Sequence, residues 1–204
     1  MNSCWIFGSA PVSGRFLEEP PENAYIIAAD GGYNTIMSMG LTPDLVLGDF
    51  DSLDIKPSCG ELAAVPAEKD DTDTMLAVKT ALERGFRDIS IAGSIGGRLD
   101  HTFANIQTLA YISAHGGSGR LIGENDIVWL IGEGSYSYKR REGMYLSLFS
   151  YGSSAVVTIS GVKYPLDRHR LENTFPLGVS NEIMGEECSI IVSEGQILAI
   201  FSKK

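Results

Sequence analysis

The pattern of apolar residues changes halfway along the chain, and this change constrains the fold more than any other feature. In the first half, short apolar segments lie between glycine, proline or aspartate residues, at 4–7, 25–29, 45–47, 63–65 and 89–92. Such segments are typical of buried parallel strands. Residues 71–84 and 100–115 carry apolar side chains at helical spacing, the second with Phe103, Ile106, Leu109 and Ala110 on one face. This alternation predicts an α/β domain with a parallel sheet and flanking helices.

The second half lacks a helical period. Apolar segments at 145–149, 155–159, 188–192 and 197–201 are separated by glycines at turn-like intervals. Glu194-Gly195-Gln196, between two of these segments, is typical of a hairpin turn. The pattern predicts a small antiparallel β domain. We expect the two domains to comprise residues 1–130 and 131–204, although the strand at 127–131 fits either one.

Composition excludes several classes of protein. Hydrophobic residues make up 44% and charged residues 21% of the 204 positions, as in ordinary globular domains. No apolar run approaches the roughly 18 residues of a membrane span, and a net charge of −10 argues against general nucleic-acid binding. The cysteines Cys4, Cys59 and Cys188 form no CxxC pair, so neither a disulfide framework nor a zinc site is indicated. With no signal-peptide pattern at the start, we expect a cytoplasmic protein.

Most of the negative charge lies in one stretch. Residues 30–73 contain two lysines, Lys56 and Lys69, against ten acids: Asp30, Asp44, Asp49, Asp51, Asp54, Glu61, Glu68, Asp70, Asp71 and Asp73. A solvated acidic face would give such a count. However, clustered carboxylates repel one another unless a cation lies among them. The stretch therefore favours a bound metal ion or a cationic ligand.

Polar loops follow four successive predicted strands. They are Asp30-Gly31-Gly32, the loop at 48–52 with Asp49, Asp51 and Ser52, the loop at 69–73 with Lys69, Thr72 and Asp73, and the loop at 93–100 with Gly93, Gly96, Gly97, Arg98 and Asp100. Ligands of open α/β sheets bind outside the carboxyl ends of the strands. One ligand site built from these loops is therefore expected.

The residue types in these loops suit a nucleotide with Mg²⁺. Asp49 and Asp51 can both turn toward one hard cation, and Mg²⁺ uses one or two carboxylates together with substrate phosphates. The glycine-rich loop before the second helix offers backbone N–H groups to phosphate, and Arg98 adds a guanidinium fork. Taken singly, each loop has a structural explanation: Asp-Gly-Gly is a common tight turn, and Asp100 is equally suited to capping its helix.

Several sequence blocks carry a family resemblance. They read DGGYNTIMSMGLTPDLVLGDFDSL, KDDTDTMLA and GSIGGRLDHTFANIQTL, followed by SGVKYPLD and PLGVSNEI in the second half. In this order they resemble the thiamine pyrophosphokinase family of bacterial type, over nearly the whole chain. The resemblance implies a Rossmann-like α/β catalytic domain followed by a thiamine-binding β-sandwich, assembled as a homodimer. It also implies Mg²⁺-assisted in-line transfer of a pyrophosphoryl group from ATP to the hydroxyl of thiamine, giving thiamine diphosphate and AMP.

The resemblance assigns roles to individual residues. Asp49, Asp51 and Asp73 would hold Mg²⁺, and Asp44 would belong to the same acidic group. Expected catalytic residues are Asp44, Asp73, Arg98 and Asp100. Expected nucleotide-binding residues are Asp30, Gly31, Gly32, Ser52, Lys69, Thr72, Gly93, Gly96 and Gly97. Thiamine would contact Asp100, Ser180 and Asn181, with Tyr164 standing where some members have a stacking tryptophan.

Three other hypotheses remain open from the sequence. The segment LVLGDFDSL resembles the strand end of Mg²⁺-dependent phosphohydrolases, with Asp49 as nucleophile. A pyrophosphokinase for another hydroxymethyl heterocycle, such as a pterin, would use the same scaffold. A nucleotide-sensing dimer without enzymatic activity would keep the glycine loops but would have little reason to keep Asp49, Asp51 and Asp73 together.

Overall fold

The computed structural model describes residues 3–48, 61–64 and 71–204, and the chain forms two compact units. The first unit is Met1–Glu124 and the second is Asn125–Lys204. The division thus falls six residues before the boundary expected from the sequence. Residues 127–131 belong to a strand of the second unit, which is why the division comes earlier.

A parallel sheet forms the centre of the first unit. Its strands are β1 (Cys4–Phe7), β2 (Tyr25–Ala29), β3 (Leu45–Gly48), β4 (Glu61–Ala64), β5 (Asp88–Ala92) and β6 (Ser118–Ile122). Their order is β6-β5-β1-β2-β3-β4, and every neighbouring pair is parallel. All side chains of β1 and β3 are buried, which explains their unbroken apolar sequences. The parallel sheet predicted from the alternation is confirmed.

Three helices are described in the first unit: α1 (Gly32–Ser38), α2 (Asp73–Glu83) and α3 (Leu99–Ala114). The Thr72 hydroxyl caps α2 by accepting a hydrogen bond from the Met75 N–H at 3.2 Å. In α3 the buried residues are Asn105, Thr108, Leu109 and Ile112. Phe103, predicted on one face with Leu109, is 63% exposed, whereas Leu109 is buried, so the predicted apolar face is buried only in part. The buried face includes two polar side chains, which a search for apolar spacing passes over.

No helix among the described residues is both long and apolar enough to cross a membrane.

The strand order creates a switch point between β1 and β5. From β1 the chain builds outward through β2 and β3 to β4, and then returns to the other side of β1 with β5 and β6. Gly8 follows β1 and Gly93 follows β5, and their backbones touch: a Cβ on Gly93 would lie 2.8 Å from the Gly8 carbonyl oxygen. Gly93 also has a φ of +62°, so glycine is required there on both counts.

The second unit consists of two antiparallel four-stranded sheets. One has the order β12-β9-β14-β7 and contains β7 (Asp126–Ile131), β9 (Met144–Ser150), β12 (Gly178–Asn181) and β14 (Ile197–Lys203). The other has the order β11-β10-β13-β8 and contains β8 (Gly134–Lys139), β10 (Ala155–Ser160), β11 (Leu166–Leu171) and β13 (Glu187–Glu194). Leu146 and Phe201 from the first sheet share one hydrophobic core with Val157 and Ile190 from the second. The predicted antiparallel β domain is confirmed.

The turn at Glu194-Gly195-Gln196 does not form the predicted hairpin. β13 pairs with β10 and β8, whereas β14 pairs with β7 and β9, so the turn carries the chain from one sheet to the other. Gly195 has a φ of +79°, and a Cβ there would lie 2.8 Å from the Ser154 carbonyl oxygen. A hairpin within one sheet and a turn between two sheets both reverse the chain within a few residues, so both favour the same turn residues.

Candidate active site

A cavity of about 250 Å³ lies at the switch point in the first unit. The loop after β1, the first turn of α2, the loop after β5 and the start of α3 contribute its lining residues: Ser9, Ala10, Pro11, Thr74, Gly93, Ser94, Gly96, Arg98, His101 and Asn105. The structure therefore brings the predicted residues Gly93, Gly96 and Arg98 to one concave site. The carboxyl edge at a switch point is where open α/β sheets bind their ligands.

The glycine-rich loop after β5 has the backbone of an anion site. Gly93, Gly96 and Gly97 all have positive φ, at +62°, +93° and +66°. Gly97 packs against Pro11, since a Cβ there would lie 3.2 Å from the proline Cδ. α3 begins directly after this loop, so the N–H groups of its first turn, which have no partner within the helix, lie beside the loop. The arrangement can bind phosphate through the backbone.

Sequence reasoning missed one polar residue that holds this loop. Asn105 is 7% exposed, and its Nδ2 donates a hydrogen bond to the Ser94 carbonyl oxygen at 2.8 Å. The Ser94 hydroxyl in turn donates to the Ile91 carbonyl at 3.1 Å. A signal was present, because His101 and Asn105 are four residues apart and thus share one face of α3.

The loop after β1 was missed as well. Ser9, Ala10 and Pro11 line the cavity, and the Ala10 N–H donates to the Gly93 carbonyl at 3.0 Å. This loop follows its strand just as the four predicted loops follow theirs. The absence of a charged side chain at 8–12 is the reason that it drew no attention.

Arg98 and Asp100 are paired with each other. The Arg98 guanidinium donates through Nη2 to Asp100 Oδ2 at 2.5 Å and through Nε to Oδ1 at 3.1 Å, and both side chains are exposed. The hydrogen bond from Arg98 is the main reason that the pKa of Asp100 lies below its usual value. Asp100 is therefore a carboxylate at neutral pH. Arg98 occupies the N-cap position of α3, but Asp100 Oδ1 accepts a hydrogen bond from the His101 N–H at 2.9 Å, so Asp100 also helps to satisfy the first turn of this helix.

Asp30 and its two glycines connect β2 to α1. Asp30 has a φ of +49°, and its N–H donates to the Leu47 carbonyl at 2.8 Å. A Cβ on Gly32 would overlap the Phe7 carbonyl oxygen, and one on Gly31 would lie 3.1 Å from Ser9 Cβ. Close packing of α1 on β1 thus explains Gly32 without any ligand. Asp30 is at the carboxyl edge of the sheet, as predicted.

Asp44 lies at the opposite edge of the sheet. It precedes β3, and its Oδ2 accepts a hydrogen bond from the Ile26 N–H at 2.7 Å. Asp44 is therefore not brought to the cavity at the carboxyl edge, and its expected partner Asp49 lies outside the described residues. β3 separates Asp44 from the carboxyl edge by about 13 Å, since a strand rises about 3.3 Å per residue.

The predicted metal ligands are described only in part. Asp49, Asp51, Ser52 and Lys69 lie outside the described residues. Asp73 is the first residue of α2, directly before the cavity residue Thr74. Within 3–48, 61–64 and 71–204, no three acidic, histidine or cysteine side chains gather as a metal cluster. One carboxylate beside a phosphate site fits Mg²⁺, which takes its remaining ligands from phosphates and water.

The second unit brings Tyr164 and Asn181 together. The Tyr164 ring is 60% exposed, whereas Asn181 is buried and bonds the Tyr164 backbone. Ser180 is exposed with a φ of +59°, and its N–H donates to the Ser147 hydroxyl at 3.0 Å. The predicted thiamine-binding residues of this unit are thus neighbours, with the aromatic side chain outermost.

A larger cavity of about 530 Å³ lies elsewhere in the first unit, between the loop at 12–20 and the second half of α1. None of the predicted site residues lines it, so we assign the active site to the smaller cavity at the switch point.

Comparison with known proteins identifies the family. Residues 18–118 match the family model for the thiamin pyrophosphokinase catalytic domain, and residues 136–197 match the model for the thiamin pyrophosphokinase vitamin B1 binding domain. The thiamine pyrophosphokinase of Bacillus subtilis (strain 168) is 31% identical over 189 residues, which cover 89% of this chain and 88% of the relative. Thiamin pyrophosphokinase 1 of Caenorhabditis elegans is 24% identical over an aligned region that covers 96% of this chain and 87% of the relative.

Solved structures agree with this result. The crystal structure of the Bacillus subtilis thiamine pyrophosphokinase matches with a TM-score of 0.88 at 27% identity, and both chains are covered completely. A thiamin pyrophosphokinase family protein from Enterococcus faecalis matches with a TM-score of 0.85 at 28% identity, again over both whole chains. Two family models, a relative above 30% identity and two full-length structural matches therefore point the same way: this chain belongs to the thiamine pyrophosphokinase family.

Proposed function

We propose that the protein transfers the pyrophosphoryl group of ATP to the hydroxyl of thiamine by direct in-line displacement, within a Rossmann-like first unit. The observation that carries this proposal is the cavity at the switch point, where the glycine-rich loop, the start of α3 and Arg98 converge. The thiamine oxygen bonds the β-phosphorus of ATP, and the bond from that phosphorus to the oxygen bridging toward the α-phosphorus breaks. AMP leaves, and the hydroxyl proton is released.

Arg98 and Asp100 exchange partners when ATP binds. Their ion pair is exposed, and exposed pairs contribute little to stability, so a phosphate can displace Asp100 from the Arg98 fork at small cost. Asp100 is then free to accept a hydrogen bond from the thiamine hydroxyl and to orient its oxygen. As an exposed carboxylate, Asp100 acts by orienting the hydroxyl and by its charge.

Asp73, together with Asp49 and Asp51, would hold Mg²⁺ beside the phosphate site. A bound Mg²⁺ neutralises charge that develops on the transferring phosphates. Transfer of this kind depends chiefly on positioning and electrostatic stabilisation, so no protein nucleophile is required. Asp30, at the carboxyl edge, and backbone N–H groups after Gly93 complete the nucleotide site.

In the second unit, the exposed Tyr164 ring stacks on a ring of thiamine. Thiamine carries a fixed thiazolium cation, and the face of a tyrosine ring attracts cations.

The concentration of acids between residues 30 and 73 favours the same cationic substrate.

The active protein is a cytoplasmic homodimer. Large apolar side chains remain exposed on each unit, Leu99 and Phe103 on α3 and Phe175 after β11. The described cysteines Cys4 and Cys188 are buried free thiols, which suits a reducing compartment. Sedimentation at micromolar concentration should give twice the monomer mass of 22.0 kDa.

The activity is tested by incubating the protein with ATP, Mg²⁺ and thiamine and separating the products by chromatography. We expect thiamine diphosphate and AMP in equal amounts. Asp73→Asn should abolish turnover, whereas Asp71→Asn should retain it, because Asp71 pairs with Lys79 at 2.6 Å. ADP with thiamine monophosphate would contradict attack on the β-phosphorus. Unreacted thiamine with bound ATP would point to another hydroxymethyl acceptor.

A further inference from the structure

A buried amide lies beside the exposed aromatic ring of the second unit. Asn181 ends β12, and its side chain is 9% exposed. Its Oδ1 accepts hydrogen bonds from the N–H groups of Tyr164 at 3.0 Å and Glu182 at 2.9 Å, and its Nδ2 donates to the Tyr164 carbonyl at 2.8 Å. An amide oxygen has two lone pairs, so this oxygen is fully used. Asn181 therefore faces the protein backbone.

The segment before Tyr164 is held by backbone contacts with residues 182–184, including a hydrogen bond from the Met184 N–H to the Gly161 carbonyl at 2.9 Å. Tyr164 lies between β10 and β11, in a segment attached to its neighbour by the isolated bridge of Val162 and Ile183. The Lys163 N–H donates to the Glu182 carbonyl at 2.9 Å, and the following residue is Pro165, which has no N–H. The Asn181 amide thus takes the place of a strand partner for Tyr164, bonding both its N–H and its carbonyl.

The Tyr164 ring itself receives little support from packing. It is more than half exposed, and the Lys163 ammonium lies 5.5 Å from the ring centroid while pairing with Glu182 at 3.3 Å. A ring with few side-chain neighbours takes its direction from its own backbone. The residue that fixes this backbone therefore sets the position from which the ring projects.

We infer that Asn181 is a positioning residue, which raises the affinity for thiamine by fixing the backbone of Tyr164 instead of contacting the substrate. This inference rests on the proposed function, in which Tyr164 stacks on thiamine. According to this inference, loss of Asn181 weakens the binding of thiamine indirectly and leaves the binding of ATP unchanged. If Asn181 had a purely structural role, its loss would lower stability but would not affect the KM for thiamine more than the KM for ATP.

A double-mutant cycle tests the inference. We expect Tyr164→Ala to raise the KM for thiamine by roughly threefold to thirtyfold, the range of an aromatic–cation contact. Asn181→Ala should raise it by about threefold to tenfold, because the Tyr164 backbone loses two hydrogen bonds, and leave the KM for ATP unchanged. In the Tyr164→Ala background, the same change should add less than about twofold.

A matched control separates positioning from stability. The Thr158 hydroxyl accepts a hydrogen bond from the Arg168 N–H at 2.9 Å in the same unit. Thr158→Val removes that acceptor and should lower the Tm without changing the KM for thiamine. Hydrogen exchange gives a readout independent of turnover: the Tyr164 amide should exchange faster in Asn181→Ala than in Thr158→Val.

Two results would overturn the inference. Equal effects of Asn181→Ala with and without Tyr164 would show that Asn181 contacts thiamine directly. An unchanged exchange rate of the Tyr164 amide would show that Asn181 does not fix this backbone. Failure of the proposed function looks different, since the wild-type protein would then form no thiamine diphosphate while the exchange result could still hold.

Discussion

Asn105 and Thr108 lie less than one turn apart on α3, and both are buried, but their side chains bond different partners. Asn105 reaches across to the Ser94 carbonyl in the glycine-rich loop, whereas the Thr108 hydroxyl donates to Ala104 within the helix at 3.0 Å. Asn105→Ala should destabilise the protein by about 1–3 kcal/mol, because the buried Ser94 carbonyl loses its donor. It should also raise the KM for ATP roughly fivefold to thirtyfold by loosening the loop.

Thr108→Val is the control for this prediction. It removes a buried hydroxyl of the same helix without touching the loop, so the KM for ATP should stay at the wild-type value while unfolding in urea reports the loss of stability. If both variants raised the KM for ATP equally, the stability of α3 rather than the Asn105 bond would govern nucleotide binding.

At the residue scale, the sequence identified chemical types better than partners. Arg98 and Asp100 were both predicted as ligand-binding residues, but their spacing in the sequence did not indicate that their side chains would pair with each other. Asp44 was grouped with acids that follow it by a few positions, yet a strand carries it to the other edge of the sheet. Charge and residue type are read from a sequence directly, whereas a side chain's partner depends on the fold.

α1 depends on a close approach to β1 that only glycine allows. Gly32→Ala should destabilise the protein by more than about 3 kcal/mol, because the new methyl group would overlap the Phe7 carbonyl and force the helix off the sheet. Gly40→Ala is the matched control: Gly40 has a φ of +70°, but a Cβ there would meet nothing within 4 Å. Its cost should be about 1 kcal/mol, from the left-handed backbone alone.

Urea denaturation of the two glycine variants measures this difference. A similar loss of stability in both would contradict the packing of α1 against β1. Solubility gives a second readout, since displacement of α1 would expose the buried side chains Tyr33 and Ile36.

At the element scale, periodicity predicted where strands and helices lie but not which faces they bury or which strands they pair with. The strands at 4–7 and 25–29 were correct, because an apolar run between turn residues reports burial directly. The turn at Gly195 was read as a hairpin, although its two strands belong to different sheets. Both outcomes need the same local turn chemistry, so only the long-range pairing distinguishes them.

At the scale of the whole molecule, alternation of strand and helix patterns was enough to predict a parallel sheet followed by an antiparallel domain. The order of the strands was not predictable, because pairing of β1 with β5 joins residues more than 80 positions apart. The switch point follows from that order, and the cavity follows from the switch point. The rule that ligands bind after the strands applied to the loop after β1 as well, but only the strand order shows that this loop meets the loop after β5.

The charge of the whole chain makes one further prediction. Most of the net charge of −10 lies between residues 30 and 73, and like charges brought together by folding oppose it. If Asp49, Asp51 and Asp73 bind Mg²⁺, an ion concentration of ten times the dissociation constant should stabilise the folded state by about 1.4 kcal/mol. For a chain of this size, the Tm should rise by roughly 3–6 °C.

NaCl at equal ionic strength provides the comparison, because it screens the same repulsion without occupying a site. We expect a smaller rise in Tm with NaCl than with Mg²⁺, and we expect Asp73→Asn to remove most of the difference while Asp71→Asn keeps it. Equal rises with both salts would mean that screening of the acidic stretch accounts for the whole effect. If Mg²⁺ raises the Tm more than NaCl does, and if Asp73→Asn removes this extra rise, then the acidic stretch binds the metal ion at the nucleotide site. Calorimetric titration with Mg²⁺ would then give the affinity of the protein for the ion.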